Sequence, residues 1–159
     1  MKLAVGDLVV YGNHGIGRVA ARRKQDVIGE TQDVVVLEFA ELTVTLPLAL
    51  ASKTDLHRVG VVLQDDGELN SRNWLSRRRE ALAKLIGGTP VELAEIVSEG
   101  AQRERLRAAN GRNKAQLSLS ERQLYTRARA LLCGEVAVAL DIQPTAAESW
   151  IDRHLMRPS

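Results

Sequence analysis

The chain has 159 residues and a mass of 17.5 kDa, enough for one ordinary domain or two small ones. Its 45% hydrophobic and 26% charged residues exclude a disordered chain, and 3% aromatic content leaves any core to aliphatic side chains. Charge is uneven: residues 1–70 hold 7 Lys and Arg against 10 Asp and Glu, and residues 71–159 hold 15 against 10, so an acidic front and a basic back point to two modules with different partners.

From Met1 to Asp7 there is no long apolar run, and nowhere do about 18 apolar residues follow one another, so neither a signal peptide nor a membrane span is expected. Cys133 stands alone, which excludes an intramolecular disulfide and a cysteine zinc cluster. Its neighbours Leu131, Leu132, Val136 and Ala137 predict a buried thiol, in keeping with a reducing cytoplasm.

The front of the chain reads as short β-branched runs separated by turn residues. Leu8 to Tyr11 is one run, Gly12-Asn13-His14-Gly15 a turn, and Ile16 to Ala20 a second run. Val27-Ile28-Gly29-Glu30 breaks the chain before Val34 to Phe39, and Ala40-Glu41 turns it into Leu42 to Leu46, stopped by Pro47. This pattern predicts a small open barrel over 1–60, whose edges could accept a strand from a partner or be blunted by charge. Residues 61–70, with the turn signal Asp65-Asp66-Gly67, are expected to be the connection.

Residues 71–159 read as helices. Asn73 is placed to cap a helix from Trp74 to Ile86, ended by Gly87-Gly88. Thr89-Pro90-Val91-Glu92 combines a cap, a proline at the first helical position and a capping-box glutamate, and Ser118-Leu119-Ser120-Glu121 is a second box. The polar stretch from Ala101 to Lys114 fits either frayed helix or loop. The helix after Ser118 carries Leu124, Ala128, Leu131, Leu132, Val136 and Leu140 near one face. A last short helix carries Ala147, Trp150, Ile151, His154 and Leu155, with Trp150 expected to pack. The fold class is therefore α+β with two domains, a β-barrel followed by an all-α bundle.

The most informative chemistry is Asn73-Trp74 followed by Arg77-Arg78-Arg79. Arginines hold phosphates without reading sequence, and an apolar wedge lodges at a disturbed base step, so this cluster suits nucleic acid. At about 100° per residue, Leu82 and Leu85 centre the apolar stripe and Trp74 lies about 20° from Leu85, so periodicity equally allows a packed ring. His14, His57 and His154 stand in no metal-ligand spacing, and there is no nucleotide-binding glycine fingerprint and no convincing nucleophile–His pairing. Neither catalysis nor a metal or organic cofactor is expected.

An ordered set of motifs spans nearly the whole chain. Val5 to Tyr11, His14-Gly15-Ile16-Gly17 and Leu42 to Pro47 are followed by Asn73-Trp74, Leu93 to Val97, Leu119 to Arg122 and Ala128 to Glu135. This set resembles the CarD/CdnL transcription regulators, whose front domain type also occurs in the transcription-repair coupling factor. The resemblance implies a Tudor-like front barrel that docks on the β subunit of bacterial RNA polymerase, here through Arg22, Arg23, Lys24, Val44, Thr45 and Leu46. It also implies a helical domain that wedges Trp74 into the promoter minor groove at the upstream bubble edge, largely without sequence preference. The family's commonly basic positions fall on Arg77 and Arg79, with Asn73 and Arg78 beside them. The chain departs from the family at Gly12, where proline is common, and at Gln25 and Thr45, where basic residues are common; the segment before Asn73 is also shorter. A monomer is expected. The alternative is a polymerase-bound adaptor whose helical domain binds another protein rather than DNA.

Overall fold

A computed structural model describes residues 2–65, 74–110 and 117–156. The front of the chain forms one antiparallel sheet of β1 (Leu8–Tyr11), β2 (Ile16–Val27), β3 (Glu30–Glu38), β4 (Thr43–Pro47) and β5 (Leu56–Arg58), in the order β4-β3-β2-β1-β5. The short α1 (Leu48–Ala51) lies between β4 and β5, and α2 (Val59–Gln64) follows β5 directly. The helical part comprises α3 (Trp74–Gly87), α4 (Pro90–Asn110), α5 (Leu119–Leu140) and α6 (Pro144–Leu155). Among the described residues, no single helix is long and apolar enough to cross a membrane.

The sheet does not close into the expected barrel, because β4 and β5 are opposite edges. The reason lies in β1. Val9 faces a core with Leu3, Val19, Val35, Leu37, Phe39, Ala51 and Leu56. Leu8 and Val10 face the other way, joining Ile16 and the helical residues Val59, Leu63, Leu93, Val97, Leu132, Val136 and Ile151. A strand buried on both faces reads as an unbroken apolar run, as Leu8-Val9-Val10 does. The second face is covered by helices instead of by the sheet curling over itself.

Other differences from the sequence reading have equally local causes. The second strand continues beyond Ala20 to Val27, because pairing with β3 satisfies its backbone whatever the polarity of Arg22 to Asp26. The expected connection at 61–70 begins inside α2, whose Val59 and Leu63 are buried. The buried Ser98 on α4 reaches that helix end, its hydroxyl donating toward the Leu63 (3.2 Å) and Asp65 (3.0 Å) carbonyls. The polar stretch after Ala101 is helical as far as Asn110, and its remainder lies outside the described residues. Leu131 is exposed, because α5 buries the face of Ala128, Leu132, Cys133 and Val136.

Several local expectations hold as made. Thr89 and Glu92 exchange hydrogen bonds at the start of α4, and Ser118 and Glu121 do so at the start of α5. Gly88, at φ +65°, follows α3 and donates to the Lys84 carbonyl at 2.9 Å. Cys133 is buried. Trp150 packs partly against the helical core with its ring on His154 at 3.8 Å between centroids.

Candidate functional site

Helix α3 starts at Trp74, whose side chain lies outside the described set together with the whole of Asn73. The arginines that follow are placed differently from one another. Arg77 points inward, its Nε and Nη2 donating to Glu121 Oε1 at 3.2 and 3.0 Å. Only 22% of its side chain is exposed. Glu121 is also the capping-box residue of α5, taking the Ser118 backbone N–H at 2.9 Å. Partial burial pushes the Glu121 carboxyl up, but the Ser118 bonds and the Arg77 guanidinium outweigh it and hold it below its ordinary value. One carboxylate therefore ties the first turn of α3 to the first turn of α5.

Two turns further along, Lys84 bonds Glu95 of α4 at 2.8 Å and approaches Glu80 at 3.8 Å. Burial lowers the Lys84 pKa, and the hydrogen bond and charge of Glu95, with Glu80 and Glu99, more than reverse this and raise it. Arg77, Ala81 and Lys84 line a cleft whose far walls are Ile96, Gly100, Leu124 and Tyr125. The opposite face of α3 is open. Arg78 and Arg79 are exposed there and form no ion pair among the described residues. Leu75, Leu82 and Ile86 share that open side, at 48%, 41% and 78% exposure. Leu82, expected at the centre of the buried stripe, is thus turned outward, and only Leu85 of that pair packs against the core.

On the sheet, β4 has β3 as its sole neighbour, so its outer edge is open among the described residues. Val44 and Leu46 pair with Leu37 and Val35 and lie against the core between sheet and α1. Thr45, between them, is exposed. Two strands away, Arg22, Arg23 and Lys24 are exposed on β2, opposite Val35, Val34 and Asp33. Arg22 Nη1 also donates to the Leu3 carbonyl at 3.1 Å. Val44 and Leu46 pack, partly buried, against the sheet core.

Among the described residues, no three His, Cys, Asp or Glu side chains gather to hold a metal ion. His14 lies against the rings of Tyr11 and Phe39, His57 bonds Asp55 at 2.7 Å, and His154 Nδ1 meets the Trp150 carbonyl at 2.8 Å.

Comparison with known families assigns both parts of the chain. Residues 3–60 match the family model described as the CarD-like/TRCF RID domain. Residues 58–152 match the model of the CarD C-terminal domain. The chain belongs to the CarD/CdnL family. Its sheet is thus the RNA polymerase-interacting domain of a CarD-type transcription factor, and α2 to α6 are the helical domain that accompanies it. For this CarD-type protein, sequence reasoning missed one contact of consequence, the Arg77–Glu121 pair. Each residue was legible alone, as a cation and as a cap, but their meeting depends on how α3 and α5 pack.

Proposed function

We propose that this protein docks on the β subunit of bacterial RNA polymerase in the cytoplasm and stabilises the open promoter complex. The edge of β4 and the cations Arg22, Arg23 and Lys24 form the docking side. Helix α3 faces the upstream bubble edge, where Trp74 wedges into the minor groove and Arg78 and Arg79 hold phosphates. Arg77, engaged by Glu121, acts as a brace that aims the first turn of α3. The observation that carries this reading is the exposed Arg78-Arg79 pair one turn after Trp74, in a chain whose front domain is of the polymerase-interacting type.

The energetics are modest. A wedge shifts the promoter equilibrium only by its preference for the opened edge over intact duplex. A preference of about 1.4 kcal/mol changes the open population tenfold. Docking on polymerase raises the local concentration of the helical domain, so weak DNA affinity suffices. The test is the lifetime of the open complex with the Trp74→Ala variant at saturating protein. A shorter lifetime with unchanged polymerase affinity is expected; an unchanged lifetime rejects the wedge.

A second reading, the polymerase-bound adaptor, is favoured by Leu75, Leu82 and Ile86 on the open face of α3, which suit a protein partner better than phosphates. Footprinting of polymerase–promoter complexes separates the two. Protection at the upstream bubble edge that disappears in Trp74→Ala supports DNA contact, and no protection there supports the adaptor.

A further inference from the structure

The β2–β3 hairpin runs well past the rest of the sheet. Strand β1 meets β2 no further than Arg18, and β4 meets β3 no further than Val34. Beyond those rungs, Lys24↔Asp33, Gln25↔Gln32, Asp26↔Thr31 and Val27↔Glu30 form a ribbon with no third strand among the described residues. At about 3.3 Å per residue it projects roughly 13 Å. The Thr31 hydroxyl donates to Asp26 across it at 2.6 Å.

Its tip contradicts ordinary turn chemistry. Ile28 and Gly29 are the central residues, at φ +52° and +81°. A two-residue hairpin turn with both φ positive favours Asn-Gly or Asp-Gly, because a β-branched side chain crowds its own backbone there. Ile28 is also 100% exposed, so it gains nothing by packing. Neither the turn nor the core accounts for an isoleucine at this position.

We propose that Ile28 is an apolar anchor that inserts into a pocket on the same polymerase surface that receives Arg22, Arg23 and β4; this rests on the docking reading above. Continuity supports that occupant. Pro47 of β4 meets Val34, Val34 meets Arg23, and the ribbon carries the strip on to its tip. Arg22 and Arg23 face valines across the ladder, so no acid among the described residues pairs with them, and an acidic rim would complement them. Asp26, Glu30 and Asp33 near the tip repel phosphate, which favours a protein pocket over nucleic acid.

The test compares full-length wild type, Ile28→Asn and the double variant Arg22→Ala/Arg23→Ala for thermal stability and for affinity to purified RNA polymerase. Ile28→Asn installs the preferred turn residue, so its melting temperature should equal or exceed that of the wild type. Its affinity for polymerase should fall about tenfold, the scale of losing one buried aliphatic side chain. A lower melting temperature shows that Ile28 serves the fold and overturns the proposal, as does unchanged affinity while the arginine variant binds weakly. If both variants bind like wild type, the docking reading itself fails and the anchor with it. Weakened binding to promoter DNA without polymerase moves the tip to nucleic acid and also overturns the assignment.

Discussion

Glu121 shows how much a single side chain can hold. Its carboxylate accepts from the Ser118 backbone N–H on one side and from Arg77 on the other, while its own backbone N–H donates to the Ser118 hydroxyl. Replacing it with Gln keeps the shape and removes the charge. We expect Glu121→Gln to cost about 1 kcal/mol of stability at neutral pH, the scale of a helix cap or a charge-assisted bond. Because its pKa is depressed in the folded state, its contribution is present above the ordinary value of 4.5 and is lost as pH falls through the folded value. Urea titrations of wild type and variant from neutral to acid pH should therefore converge; a gap that stays constant with pH rejects the ionic account. The capping role was readable from Ser-x-x-Glu alone. The ionic role was not, because Arg77 is 44 residues away in sequence.

At the scale of the element, α3 is turned differently from what its periodicity suggests. Its wheel places Leu82 with Leu85, yet the packed side carries Arg77, Ala81, Lys84 and Leu85, and Leu82 is exposed. The neighbours decide this: α4 and α5 offer Glu95 and Glu121, and two ion pairs take the place of part of an apolar seam. The exposed cations then differ in kind from the partly buried Arg77. Replacing both Arg78 and Arg79 with Ala should lower the salt slope of promoter DNA binding by about 2, roughly one per lost phosphate contact. Arg77→Ala should instead lower the melting temperature. Affinities measured over a range of salt concentrations, beside a melting curve, check both; an unaltered slope in the double variant removes α3 from the DNA. The end of α3 and the starts of α4 and α5 were legible because Gly88, Pro90 and the two capping boxes act within a few residues. The facing of α3 was not, since a helical wheel shows a stripe but not what lies across from it.

At the scale of the molecule, the front sheet and the helices share one core. Leu8, Val10 and Ile16 pack with residues of α2, α4, α5 and α6. The sheet and the helical domain are thereby held in fixed relation, which the proposed wedge would require. Val10→Ala should cost about 2 kcal/mol, from lost burial and the space left behind. The cost should appear equally in both parts. Hydrogen exchange of β1 and α5 amides should report the same loss of opening free energy; a loss confined to β1 means that the parts unfold independently.

The chain by itself determined the run of strands then helices, the turns, the caps and the family, because these rest on neighbours a few residues apart or on ordered motifs. Only the tertiary structure decided that helices cover the second face of the sheet, that Arg77 turns inward while Arg78 and Arg79 face solvent, and that Ile28 stands bare at a ribbon tip. Those outcomes follow from contacts between distant segments and from where the last paired rung falls, and no local pattern of residue types encodes either.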